Sequence, residues 1–225
     1  MHWVTVDGYP MPKLVGGHPA LDFCNTWSGW GEPPHPKREW LDGYDQLAVW
    51  ARHAGLISEE TAARVRELAR RRPEEAAAVL EEARQLRQAL YRLALDPTAT
   101  RAFGTVAKLA AQSAAAAKLV AGPDGQASWV LPGSIRTPLL AVAGSAAELL
   151  CSADRHRVRR CPGSDCGWLF VNRHGHRRWC DMSSCGNRAK VRSHARRRRD
   201  RATPTGAGDD PPGHPPAPRR GRATP

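Results

Sequence analysis

Four cysteines stand at Cys161, Cys166, Cys180 and Cys185, within the run CPGSDCGWLFVNRHGHRRWCDMSSCGNRAK. They form two close pairs, each with four intervening residues, separated by an insert of thirteen. A tetrahedral Zn²⁺ takes four such ligands at about 2.3 Å, and a closed set of four suits a structural ion rather than a catalytic one. A short loop can bring each pair together, and an insert that folds back can join the two pairs. The insert carries the composition for that. GWLFV reads as a strand, NRHGH as a reversal, and RRW as the return towards Cys180, which gives the order knuckle, hairpin, knuckle, helix. Reduced core cysteines rank second, because Pro, Gly, Ser and Asp crowd the ligands. Disulfides rank lower in a chain expected to be cytoplasmic. An iron–sulfur cluster also accepts four cysteines and stays open below zinc.

The expected location rests on two absences. No apolar run reaches membrane-spanning length, and the N-terminus MHWVTVDGYPMPKLVGG has neither a basic leader nor a continuous apolar stretch. Cys24 and Cys151, in apolar surroundings, are read as buried small hydrophobes. His174 and His176, at the reversal, are read as surface or phosphate-contacting residues. Trp168, Phe170 and Trp179 are expected to form a small core with Val191.

The positive charge is local. The net charge is +12, and residues 155–201 hold 15 Lys/Arg against 3 Asp/Glu, whereas residues 1–154 hold 16 against 17. Such a density on a short module exceeds what solubility requires and points to a polyanion. Candidate contacts are Arg177 and Arg178 before the third cysteine, then Asn187, Arg188, Lys190 and Arg192, and the run Arg196, Arg197, Arg198 and Arg199. Phosphate contacts position a protein, and only base contacts read sequence. Asn187, Arg188 and Arg192 are the candidates for base edges. Duplex DNA is the expected partner. An RNA-binding or protein-interaction adaptor is the alternative.

Residues 1–154 read as mainly helical with a small β element. Leu47, Trp50, Ala51 and Ala54 share a helical face that stops at Gly55. Ser58 caps SEETAARVRELARRR, and Pro73 opens a long helix to Asp96-Pro97. A further helix is expected over 101–120, closing at GPDG, with ASWVLPG as a short strand, and PLLAVAGSAAELLCSA as a last apolar helix. The helix pair in 45–69 has helix-turn-helix spacing, but its second helix is charge-mixed, as in any bundle. No catalytic Ser/His/Asp set or phosphate loop stands out, so an enzyme is not expected. The expected division is 14–154, 155–200 and a disordered Pro/Gly/Arg-rich tail at 201–225, which lacks large apolar side chains.

CGW at 166–168, RRWC at 177–180 and CGNRAK at 185–190 resemble the CGNR zinc-finger family of bacterial proteins. GGHPALDFCNTW at 16–27 resembles the opening of an ABATE-type domain. The resemblance implies one structural Zn²⁺ held by the four cysteines and a DNA-binding module. It also implies an N-terminal domain of a stress-induced transcription regulator, with a small-molecule effector as a further candidate. A homodimer is a separate candidate, tied to a palindromic operator. Asp22 and Asn25 then become candidates for effector contact.

Overall fold

The computed structural model describes residues 3–30, 39–163 and 165–202, with side chains through 199. The expected tail, apart from residues 201 and 202, lies outside them. Two compact units emerge, Met1–Ala189 and Lys190–Pro225. Among the described residues no helix is long and apolar enough to cross a membrane.

The first unit opens with a hairpin of β1 (Trp3–Val6) and β2 (Tyr9–Pro12), paired antiparallel with Val6 opposite Tyr9. Asp7 and Gly8 both take positive φ, 49° and 79°, as a two-residue type I′ turn requires. The Asp-Gly pair between WVTV and YPMP was a legible signal for this turn. A short helix α1 (Pro19–Cys24) follows. His18 caps it by accepting the Ala20 N–H at Nδ1, 3.3 Å away.

Helices α2 (Tyr44–His53), α3 (Glu59–Arg71) and α4 (Pro73–Leu95) form as their stripes and caps predict. Gly55 takes φ 73° just past α2, and Ser58 accepts the Thr61 N–H at 3.1 Å to start α3. Helix α5 (Thr100–Ala116) ends four residues before the expected Val120. Lys118–Ala121 (β3) instead pairs with Ala127–Val130 (β4) across the GPDG turn. A β-compatible KLVA beside a strong turn prefers a hairpin to a helix that would run into Gly122-Pro123.

Helix α6 (Thr137–Cys151) is apolar around most of its circumference and packs against α1, α2, α4 and α5. Trp50, Phe23, Leu47, Leu86, Leu90 and Leu139 fill the space between these helices. Cys24 is buried among them, whereas Cys151 is exposed, against the expectation that both pack inside. Cys151 sits at the last turn of α6, on the side away from that core.

A 3₁₀ turn (Ala153–Arg157) delivers the chain to β5 (Val158–Arg160), which pairs antiparallel with β6 (Leu169–Val171). This corrects the expected hairpin. GWLFV pairs backwards with VRR, across the first cysteine pair, and RRW forms no strand. A wide π-type turn (Met182–Gly186) precedes α7 (Asn187–Ala202). Residues 190–202 of α7 are the described part of the second unit, and Val191 there is 60% exposed, so it joins no small core.

Candidate metal centre

The first cysteine pair lies on the loop that joins β5 to β6. Cys161 donates its N–H to the Trp168 carbonyl at 2.7 Å, continuing the ladder, and Cys166 donates to the Gly163 carbonyl at 3.1 Å, closing the turn. Gly163 keeps the packing here close: a Cβ would lie 3.3 Å from the Cys185 Sγ and 3.1 Å from the Cys166 Cβ, a tight contact. The second pair flanks the π-type turn. Asp181 holds that turn, accepting from the Ser183 N–H at 3.0 Å, the Ser183 hydroxyl at 2.7 Å and the Ser184 hydroxyl at 2.6 Å.

The four buried Sγ atoms converge within 4.8 Å of one another. Cys180 lies 3.6 Å from both Cys166 and Cys185, sulfur to sulfur. That is far beyond a disulfide bond and close to the edge of a tetrahedron around an ion at about 2.3 Å, which is about 3.8 Å. The donor set therefore fits a thiophilic cation such as Zn²⁺, and the cluster is able to coordinate a metal ion.

The four thiols share protons among themselves. Cys161 is drawn down to about 7 because Cys166, and then Cys180, donate S–H bonds to its sulfur. Cys166 and Cys180 are pushed far up, chiefly because each holds its proton in a bond to a neighbouring sulfur. One thiolate forms readily, and further ones are opposed by crowding and burial. A divalent ion removes that opposition.

Arg188 reaches into the same cluster. Its Nη2 donates to the Cys185 Sγ at 3.2 Å, and its Nη1 pairs with the Asp165 carboxylate at 2.6 Å. A guanidinium in that position orients and stabilises a thiolate ligand. Arg188→Ala is expected to speed zinc loss to a chelator by about ten-fold, with Arg188→Lys in between. Stopped-flow chelation measures it, and an unchanged rate in both variants would remove this role.

Arg177 also points inward. Its guanidinium lies 4.6 Å over the Phe170 ring and donates to the carbonyls of Trp179 at 3.1 Å, Val15 at 2.5 Å and Cys180. These bonds tie the second cysteine pair to the segment before α1. Sequence alone showed a positive charge here, and only the fold supplies its carbonyl partners. Arg178 is exposed and lies 5.3 Å from the Trp179 ring. Asn187, Lys190, Arg192 and Arg196 to Arg199 are exposed. His174 and His176 are exposed at the turn through Gly175.

Asp22 and Asn25 are buried, and their polar atoms meet backbone. Asn25 accepts the Leu169 N–H at 2.8 Å and donates to the Leu169 carbonyl at 3.0 Å, imitating a strand partner for β6. Asp22 accepts the Gly16 N–H at 2.6 Å, while the Gly16 carbonyl accepts from Val171 at 2.8 Å. Both residues thus dock the cysteine module onto α1. Burial raises the Asp22 carboxyl from 3.8 to about 7, against the pull of the Gly16 and Val15 amides and Arg177. A raised folded-state value means that its contribution to stability is full below about pH 4 and is lost as pH rises through 7. Asp22→Asn keeps an acceptor for Gly16. Relative to that variant, the wild-type protein is expected to lose up to a few kcal/mol between pH 4 and 8. Parallel denaturant titrations would show equal pH slopes if the reading were wrong.

Further bonds join the module to the helical bundle. Tyr91 donates its hydroxyl to the Gly167 carbonyl at 2.7 Å, Trp168 Nε1 donates to the Trp27 carbonyl at 3.0 Å, and Arg155 donates to the Leu93 and Ala94 carbonyls. Gly167, at φ 67°, lies so close to Trp30 that a Cβ would meet it at 2.8 Å.

Comparison with known families agrees with this layout. Residues 17–153 match the ABATE family model, described as "Putative stress-induced transcription regulator". The chain belongs to the ABATE family. Residues 157–198 match the CGNR zinc finger. Both are non-enzymatic regulatory families. No curated protein matches the chain. The bonds from Asn25, Tyr91 and Trp27 to residues 167–169 therefore run between the ABATE region and the part of the finger that lies in the first unit, residues 157–189.

Proposed function

We propose that the chain is a DNA-binding transcription regulator. One structural Zn²⁺, held by Cys161, Cys166, Cys180 and Cys185, organises a module from which an arginine-rich helix departs. The observation that carries the reading is the converged four-thiol cluster whose last member, Cys185, stands two residues before α7. That helix bears eight Lys/Arg against one Asp. The ABATE and CGNR matches support the same reading. The ion's role is structural, since four thiolates leave no position for water or substrate.

Within this reading the phosphate and base contacts come from Arg178, Asn187, Lys190, Arg192 and Arg196 to Arg199. Arg177 and Arg188 serve the module's interior instead. The functional division is a 14–154 regulatory region and a 155–200 binding region. Selection of bound fragments from sheared genomic DNA, alongside metal analysis of the same preparation, tests it. A recovered sequence motif and about one zinc per chain are expected, and a palindromic motif would indicate a two-fold dimer. Absence of duplex binding at about 50 mM salt in the zinc-loaded protein, or a preference for single-stranded RNA, would overturn it in favour of an adaptor.

A further inference from the structure

A pocket of about 750 Å³ opens on the face of α4 that carries Arg84, Arg87 and Tyr91, opposite Trp27 and Trp30. That volume suits a drug-sized molecule. One wall is a stacked aromatic pair, Trp30 on Tyr91, with ring centroids 3.7 Å apart and planes within 4°. Trp27 adds a second indole.

The charges around the pocket are unequally committed. Arg87, nine-tenths buried, is held by both oxygens of Glu39 at 2.6 and 2.5 Å and by Thr26 Oγ1 at 2.9 Å. Arg84 donates to the Leu41 carbonyl at 2.7 Å and lies 3.8 Å from Glu39. These two guanidinium groups belong to the wall. At the rim, Asp42 and Asp96 make no ion pair among the described residues, and Glu81 has only a loose one with Arg84 at 3.9 Å. Arg92 is the single lining cation with no ion pair among the described residues. Asp42 and Glu81 are lightly committed, Asp96 accepts the Thr98 N–H at 2.9 Å and hydroxyl at 2.6 Å, and the Arg87 guanidinium lies 5.8 Å from the Trp27 ring centroid. These rim carboxylates against the Arg92 guanidinium, beside the Trp30–Tyr91 stack, select a ligand that is flat and positively charged.

We propose that this pocket binds a planar aromatic cation. The walls that touch the ligand also hold the metal module: Tyr91 donates to the Gly167 carbonyl and the Trp27 carbonyl accepts from Trp168, next to Cys166. Occupancy therefore stabilises the turn that carries Cys166. Binding itself is independent of the regulator reading, and only the naming of the ligand as an effector rests on that reading.

The test uses the zinc-loaded full chain without DNA and proflavine as the probe. Saturable binding is expected in tryptophan quenching and dye anisotropy. Asp42→Asn and Glu81→Gln, both exposed, are each expected to weaken it by about two- to five-fold, the worth of one surface charge pair. Asp42→Lys combined with Glu81→Lys should weaken it by about ten-fold or more, while Glu74→Gln, in the first turn of α4, should leave it unchanged. Saturating dye should slow zinc loss to EDTA in the wild-type chain and not in the double Lys variant. No saturable binding, equal or tighter binding of anionic 8-anilinonaphthalene-1-sulfonate, or indifference to the rim variants overturns the site. Dye binding with an unchanged zinc-loss rate overturns the coupling. DNA binding measured separately distinguishes this failure from that of the regulator reading.

Discussion

Cys180→Ser is expected to abolish stoichiometric zinc and to unfold the cysteine loops while leaving most of the helical bundle intact. Cys180 is the sulfur that lies 3.6 Å from two others, so its loss opens the cluster at its centre. In isolated zinc-finger peptides the metal contributes about 10–16 kcal/mol, and a module of this size has little else to fold with. Here part of the module has other support, because β6 is bonded to Asn25 and Trp168 is bonded to Trp27. Melting should therefore split into two transitions. The near-ultraviolet signal of Trp168 and Trp179 should collapse, with far-ultraviolet helicity falling only modestly. Elemental analysis and thermal circular dichroism decide it. Retention of one zinc per chain, or a single unchanged transition, would show that the thiols do not form the ion's cage. Duplex DNA binding should disappear with the metal.

Replacing Arg196, Arg197, Arg198 and Arg199 together by Ala should produce the second large effect. These four are exposed, and Ala preserves helix propensity. If each neutralises one phosphate, the slope of log affinity against log salt should become shallower by about 3.6. At about 150 mM salt the affinity should fall by about a hundred-fold or more. Zinc content and melting should stay at wild-type levels, which separates this variant from Cys180→Ser. Fluorescence anisotropy on a labelled duplex across a salt series measures both quantities. An unchanged slope would place the nucleic-acid surface elsewhere or remove it. Arg177→Ala gives the contrasting case, because its guanidinium spans the Val15, Trp179 and Cys180 carbonyls. Its loss should lower module stability before it touches the salt slope.

The cysteine pairs illustrate what a linear pattern can carry. Two close pairs with Gly and Pro between them limit the geometry to loops, and a hairpin-sized insert limits how the loops meet. Convergence within 4.8 Å was thus readable before any coordinates. The route of the chain between the pairs was not. GWLFV has no local preference between VRR before it and RRW after it, since both are short, basic and bounded by cysteines. The choice fell to VRR because β6 is also gripped by Asn25, and because the carbonyl of Gly16 receives the Val171 N–H. Those partners lie about 150 residues away in sequence.

The bundle divides in the same way. Periodicity, Ser58 and Pro73 placed α2, α3 and α4, because a cap or stop acts within a turn of its own position. Helix α5 stops at Ala116 rather than at the expected Val120, because helix and hairpin preferences are nearly balanced there and the turn prevails. Asp22 and Asn25, singled out by their motif, dock the two matched regions together through backbone bonds.

Charge, helical periodicity and ligand spacing are properties of neighbours along the chain, and they sufficed here for the helices, the basic segment and the four thiols. Which arginines face outward is a different kind of fact. Arg177 and Arg188 have the same side chain as Arg178 and Arg192, yet carbonyls, a carboxylate and a sulfur from separate segments surround the first two. A guanidinium is claimed by whichever acceptors folding brings within reach, and for these two residues those acceptors come together only when β6, the π-type turn and the segment before α1 meet.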